Sequence, residues 1–204
     1  MAKSSIGRGR IWYSPGMIAR EHDGADSPRA ARIEPATRET LPAVAALAGV
    51  IWRACYPGII TAAQIEYMLA KMYAIEVLTD ELQRGIRYER LLAGNDFVGF
   101  ASWGPTGQPP AFKLHKLYLH PAWQGRGLGS RLLRHCEREA RRSGAEQLTL
   151  TVNKRNVKAI AAYERNGYVR TDAIVTDIGG GFVMDDYVFA KELNPSAKAR
   201  DGGD

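Results

Sequence analysis

The sequence predicts an α/β (α+β) fold, a mixed central sheet of about six to seven strands flanked by helices. Three observations predict it. Helical and strand periodicities follow one another along 204 residues in the order β-ααα-β-β-β-α-β-α-β-β. Apolar runs flank Gly94-Asn95-Asp96 and again Gly179-Gly180-Gly181, which is the pattern of a hairpin turn. A glycine-punctuated segment, Gln124 to Ser130, lies between a strand pattern and a helix pattern.

Residues 1–28 are rich in Gly, Ser, Pro and charge and lack periodicity, so they are expected to form a flexible leader. A single domain is expected over residues 29–193, and a disordered tail over 194–204. The first strand is expected at Ala31–Pro35. Thr37 is placed to cap a helix from about Arg38 to Ala54, with Leu41, Val44, Ala45, Ala48 and Ile51 on one side. Tyr56-Pro57-Gly58 breaks it. Thr61 caps a second helix carrying Ile65, Met68, Leu69 and Met72, and a third covers about Glu76–Arg84. Strands follow at Ile86–Ala93, Phe97–Trp103 and Phe112–Leu119. After the loop Pro121–Gln124, a helix runs to about Ser143, where Gly144 stops it. Gln147–Val152 is a strand, Asn156–Asn166 a helix, and Tyr168–Asp177 with Phe182–Lys191 a closing antiparallel pair.

Composition narrows the class. Hydrophobic residues make up 45% and charged residues 25%, ordinary values for a soluble domain able to build its own core. No apolar run approaches the roughly 18 residues a membrane span requires. The basic stretch Met1–Arg10 is not followed by an apolar segment, so no signal peptide is expected. Cys55 and Cys136 form no metal or disulfide pattern, which points to a reducing, cytoplasmic compartment without a metal site. The net charge is +6. Within residues 1–32, Lys3, Arg8, Arg10, Arg20, Arg29 and Arg32 outnumber Glu21, Asp23 and Asp26 by three. A second basic group lies between Arg126 and Arg142, where Arg134, Arg138, Arg141 and Arg142 alternate with Glu137 and Glu139 as a solvated helix face. Neither group requires a nucleic acid.

The segment Gln124-Gly125-Arg126-Gly127-Leu128-Gly129-Ser130 carries chemistry. The first turn of a helix presents backbone N–H groups without partners, and the helix dipole adds partial positive charge there. Glycines let a diphosphate approach that backbone. The dinucleotide pattern G-x-G-x-x-G fails, because Ser130 stands where its last glycine would fall, and no Gly-Lys-Ser/Thr of a P-loop follows. What remains is Q-x-x-G-x-G, formed by Gln124, Gly127 and Gly129.

The stretch KLHKLYLHPAWQGRGLGSRLL followed by TVNKRNVKAIAAYERNGY resembles motifs A and B of the GNAT superfamily of N-acetyltransferases, and the resemblance covers about residues 30–193. It implies the GNAT fold and acetyl-CoA as the acetyl donor, with no metal. Backbone groups of Leu117, Tyr118 and Leu119 would pair with the pantetheine arm. Amides of Gly125, Arg126, Gly127, Leu128, Gly129 and Ser130 would hold the pyrophosphate beside Gln124, with Arg126 and Arg131 near the nucleotide phosphates. Asn156 would contact the pantetheine arm, and the Tyr163 hydroxyl would face the sulfur. Seven residues apart on a helix, the two share a face. A phenol there can protonate the departing thiolate. Asn156 alone also reads as an N-cap, and Tyr163 alone as a core aromatic.

An alkylammonium near pKa ~10 must lose a proton before attack. Many members carry a Glu on the strand before motif B's helix, but here Thr151 stands at that position. Strand alternation predicts that Lys113, His115, Leu117 and Leu119 share a face. In arylalkylamine-type members a histidine matching His115 assists proton removal, and an imidazole near 6.5 suits the task. The regions IWRACYPGIITAAQIEYMLAKMY and DIGGGFVMDDYVFAKEL look like those of the bacterial PaiA-type spermidine/spermine N-acetyltransferases. That resemblance implies an acceptor pocket lined by Trp52, Tyr56 and Tyr67, with Asp185 and Asp186 attracting a cationic amine. The expected partner is a small-molecule amine, with no nucleic acid or membrane, and the chain is expected to form a homodimer. The alternatives are a protein N-terminal or lysine acetyltransferase and a non-catalytic acyl-CoA-binding regulator.

Overall fold

The computed structural model describes residues 31–194. The expected leader and residues 195–204 of the expected tail lie outside them. Seven strands form one sheet: β1 (Ala31–Pro35), β2 (Arg87–Ala93), β3 (Asp96–Pro105), β4 (Ala111–Leu119), β5 (Gln147–Asn153), β6 (Val169–Gly179) and β7 (Phe182–Glu192). Five α-helices accompany them: α1 (Leu41–Cys55), α2 (Ala62–Tyr73), α3 (Ile75–Gln83), α4 (Leu128–Arg142) and α5 (Val157–Arg165). Two short 3-10 turns, Arg38–Thr40 and Pro121–Trp123, stand where a longer first helix and a plain loop were expected. Pro42 lies at the start of α1, where a ring without an N–H is tolerated. Thr61 caps α2 as expected, its side chain accepting from the Gln64 amide.

The strand order is β1-β2-β3-β4-β5-β7-β6. Every pairing is antiparallel except β4 with β5. A parallel neighbour requires a crossover, and α4 supplies it. The strand β7 inserts between β5 and β6, so β6 becomes an edge, exposed along most of its length.

Two cores cover the two faces of this sheet. Leu128, Leu132, Leu133, Cys136 and Ala140 of α4 pack on Ala101, Leu114, Leu148, Leu150 and Phe189, with Ile160 and Tyr163 of α5 against the same cluster. The opposite face buries Leu41, Val44, Ile51 and Trp52 of α1, Ile65 and Met68 of α2 and Leu78 of α3 on Tyr88 and Phe100. Each buried large side chain of this kind contributes about 1.5–3 kcal/mol. The site described next lies where the two layers meet through the sheet.

Candidate active site

The strands β4 and β5 pair only from Ala111–Gln147 to Leu114–Leu150. Beyond that point β4 runs on to Leu119 with β3 on one edge and no strand on the other. The His120 amide donates to the Val98 carbonyl, and Tyr118 and Lys116 are paired with Phe100 and Ser102. Antiparallel alternation therefore turns the backbone of Tyr118 toward β3 and that of Leu117 and Leu119 into the opening. Of the three residues expected to pair with a ligand arm, Tyr118 has its backbone groups turned to β3, and only Leu117 and Leu119 leave theirs toward the opening. The Leu119 carbonyl is already held by the side-chain amide of Gln124, 3.1 Å away. Gln124 is thus a strut joining the glycine loop to the end of β4.

The loop has an open backbone geometry. Gly125 and Gly127 adopt left-handed conformations, with φ of +76° and +78°, and a Cβ at either would meet only open space. Gly127 is the N-cap of α4, and the first helical bond runs from the Arg131 amide to the Gly127 carbonyl. The amides of Leu128, Gly129 and Ser130 thus form the open first turn. Gly129 is a different case. A Cβ there would sit 3.5 Å from Leu119 Cδ1, an ordinary contact, so neither packing nor backbone conformation demands a glycine. The Arg126 guanidinium stacks 4.8 Å over the Trp123 ring. Arg131, also expected near phosphate, instead donates to the Ala31 carbonyl. The Ser130 hydroxyl accepts from Asn166.

On α5, Asn156 is the N-cap, accepting from the Ala159 amide at 3.2 Å. Its amide NH2 remains the group able to reach a ligand. Tyr163 packs edge-on to Tyr168, with centroids 5.8 Å apart. Its hydroxyl lies within electrostatic range of Tyr56 and Tyr118, which belong to the opposite layer, and of Cys136 on α4. The phenol therefore reaches into the opening between β4 and β5. Burial pushes its pKa up to about 12, so it keeps its proton across the working pH range.

The acceptor side holds the larger departures. The β3–β4 register slips so that Trp103 pairs with Leu114 and Ser102 with Lys116, leaving His115 as a bulge. Alternation breaks there. Leu117 and Leu119 pack with the α4 layer, while Lys116 and Tyr118 enter the α1–α3 layer. The predicted shared face of Lys113, His115, Leu117 and Leu119 does not form. Burial, followed by Lys113 and Lys116, lowers the His115 pKa to about 4, and its buried Nε2 has no hydrogen-bond partner among the described residues. It is neutral at physiological pH and a weaker base than the free imidazole expected there.

Trp52 does not line a pocket. It is buried in the core, stacked 4.4 Å on Tyr56, with its indole N–H directed at the Tyr73 hydroxyl 3.3 Å away. Tyr56 faces the opening instead, its hydroxyl 3.4 Å from that of Tyr118. Tyr67 braces the β6–β7 turn by donating to the Ile178 carbonyl at 2.6 Å, beside Lys71, which donates to the same oxygen. Arg155 ties the α1–α2 loop to the end of β5 through the Gly58 and Ile59 carbonyls. No spacing in the sequence signals that long-range tether. A cavity of about 410 Å³ lies between these parts, lined by Gly58–Thr61, Gln64, Asn153, Arg155, Val183 and Asp185. The two adjacent acids part company. Asp185 is half-exposed and paired with Lys154, whereas Asp186 is 5% exposed and its buried Oδ1 has no hydrogen-bond partner among the described residues. Burial raises Asp186 to about 6, and Lys113 opposes the rise. Thr151 sits opposite Val188 with no acid of its own.

Comparisons with known proteins place the chain in a family. The model of the acetyltransferase (GNAT) family matches residues 51–168, more than half of the chain. A spermidine N(1)-acetyltransferase from Thermoplasma acidophilum is 26% identical over 152 residues, covering 72% of this chain and 91% of that one. An L-methionine sulfoximine/L-methionine sulfone acetyltransferase from Salmonella typhimurium is 34% identical over 77 residues, 36% of this chain and 45% of its own length. The chain spans about half the length or less of most curated relatives it matches. Among solved structures, the PaiA N-acetyltransferase of Thermoplasma acidophilum in complex with coenzyme A superposes with a TM-score of 0.69 at 24% identity, covering 79% of this chain and 98% of that one.

Proposed function

Because the chain belongs to the acetyltransferase (GNAT) family, we propose that it moves the acetyl group of acetyl-CoA to a primary amine of a small molecule, by direct attack in a ternary complex. The observation that carries the reading is the parting of β4 from β5 after Leu114 and Leu150. It leaves a slot with helix-terminal amides at one end and the Tyr163 phenol at the other. These residues fit acetyl-CoA. The amides of Leu128, Gly129 and Ser130 suit its diphosphate, the backbone of Leu117 and Leu119 its amide-bearing arm, and the Asn156 NH2 the same arm. The bound donor supplies an activated acetyl thioester. Tyr163 then offers its proton to the departing sulfur.

A small acceptor is favoured over a protein chain because two side-chain tethers border the cavity. Arg155 holds the α1–α2 loop, and Tyr67 with Lys71 holds the β6–β7 turn. An extended peptide needs an open groove between those two elements. A polyamine, as in the Thermoplasma relative, suits a cavity that carries Asp185 on its wall. A homodimer and a cytoplasmic setting belong to the same proposal. Cys55 and Cys136 are free thiols, as a reducing compartment allows. Among the described residues no helix is long and apolar enough to cross a membrane. Thiol release from acetyl-CoA across polyamines, arylalkylamines, amino acids and peptides tests the proposal. Turnover with small amines and not with peptides is expected, and turnover with peptides alone overturns it.

A further inference from the structure

We propose that Asp186 is the catalytic base, the group that takes the ammonium proton of the acceptor before attack. The inference rests on the acetyltransferase reading and fills the vacancy left by Thr151.

Geometry comes first. Asp186 lies on β7 opposite Asn153, at the end of β5 where β4 has already parted from it. It therefore stands beside the opening in the sheet. Met184, two residues before it, packs with the α1–α3 layer, whereas Tyr187 and Phe189 pack with the α4 layer. Alternation then turns the Asp186 side chain to the acceptor side. Tyr163 enters the opening from the other layer. The Tyr56 hydroxyl is within electrostatic range of both. The acid for the leaving sulfur and the base for the incoming amine thus approach one reaction centre from opposite faces. The cavity above is lined by its neighbours Asn153 and Asp185, while Asp186 itself is only 5% exposed.

A buried carboxylate oxygen without a partner is an expensive feature in a fold that satisfies most of its polar groups. Asp185, one residue away, has its charge answered by Lys154. Asp186 makes no such ion pair among the described residues, although Lys113 and Lys154 act on it from a distance, and its Oδ1 is the acceptor that a bound ammonium would satisfy. The charged and titratable groups facing it are Lys113 from β4, Lys154 after β5, Asp185 on its own strand and Tyr56 from α1. With a pKa of about 6, it is ionised at neutral pH and still basic enough to accept a proton, as general-base efficiency requires. His115, near 4, is the weaker competitor.

The step balances. An alkylammonium gives one proton to the Asp186 carboxylate, leaving a free amine and a neutral carboxyl. The nitrogen lone pair forms the C–N bond at the acetyl carbon as the C–S bond breaks. The departing sulfur takes the Tyr163 proton, and the second proton shed by nitrogen restores the phenol. Asp186 returns its proton to water.

The test uses the full chain with acetyl-CoA and, as probe acceptors, spermidine and a set of arylalkylamines. Thiol release by the parent comes first, and its absence with every amine overturns the acetyltransferase reading itself. With turnover in hand, Asp186→Asn should lower kcat/KM by about 10²–10⁴-fold at neutral pH, erase the limb that rises near pH 6, and recover partly at high pH, where free amine is abundant. Acetyl-CoA binding by calorimetry should be unchanged, which also reports folding. Asp185→Asn should keep the limb. An Asp186→Asn variant that raises KM alone, or loses activity equally at every pH, overturns the base assignment while leaving the acetyltransferase reading intact. A second measurement needs no acceptor: infrared titration of the coenzyme A complex should show a carboxyl group titrating near pH 6 in the parent and not in Asp186→Asn. A parent without that group also overturns the inference.

Discussion

The slot's proposed donor side and its proposed acceptor side are built from different materials. The donor side is backbone: consecutive amides at the start of α4, glycines with positive φ, and the free edge of β4. The acceptor side is side chains gathered from distant elements: Tyr56 from α1, Lys113 and His115 from β4, Arg155 after β5, Asp186 from β7. Backbone recognition takes any ligand with the right diphosphate, whatever the neighbouring side chains. Side-chain recognition depends on burial and charge, so it can vary while the donor side stays fixed. That difference accounts for a chain whose family is plain and whose acceptor is read only from its walls.

The comparison breaks first at Tyr163, where the two sides meet. Tyr163→Phe keeps the ring and its contact with Tyr168, so folding and acetyl-CoA affinity should hold. The single-turnover rate should fall about 10²–10⁴-fold. An unchanged rate from pH 6 to 9 would make it a packed aromatic and nothing more.

The next effect concerns the acceptor-side core. Lys116 is buried, and Glu81 holds it through both carboxylate oxygens at 2.7–2.8 Å, with the Tyr88 hydroxyl on the same acid. Glu81→Gln strands a buried ammonium, and loss of one partner of such a pair costs about 3–5 kcal/mol. Chemical denaturation should show it, whereas breaking the exposed Arg53–Glu66 pair should cost less than about 1 kcal/mol.

Asp186 gives a pH-dependent effect of opposite sign. Its folded pKa lies above the usual 3.8. The stability this provides is complete below that usual value and is lost as pH rises through about 6. A rise from 3.8 to about 6 corresponds to about 3 kcal/mol. Asp186→Asn should therefore gain on the parent between pH 4 and pH 8 by that order, measured by denaturant titration at each pH. A difference independent of pH would mean that the carboxyl ionises as in water.

The smallest effect sharpens the donor side. Gly129→Ala has room for its methyl, and Ala exceeds Gly in a helix by up to about 1 kcal/mol, so Tm should stay level or rise. Acetyl-CoA affinity should nonetheless fall, because the methyl, set against Leu119 at the free edge of β4, crowds the turn proposed to hold the diphosphate. Gly127→Val differs, since its left-handed backbone alone penalises a β-branched residue. Unchanged affinity in Gly129→Ala would move the diphosphate off that turn.

By itself the sequence determined the element order, the open first turn of α4, and Asn156 as the cap of the helix that carries Tyr163. Each of these is written within a few consecutive residues, by periodicity of 2 or 3.6 and by glycines that admit positive φ. Only the tertiary structure decided the insertion of β7 between β5 and β6, which sets Asp186 beside Asn153. It also decided the bulge that turns His115 out of the expected alternation. The split fates of Asp185 and Asp186 were equally beyond the sequence, where the two stand side by side as equals. Register between distant strands and the loss of water around one carboxylate depend on what packs across the chain, and no local spacing records them.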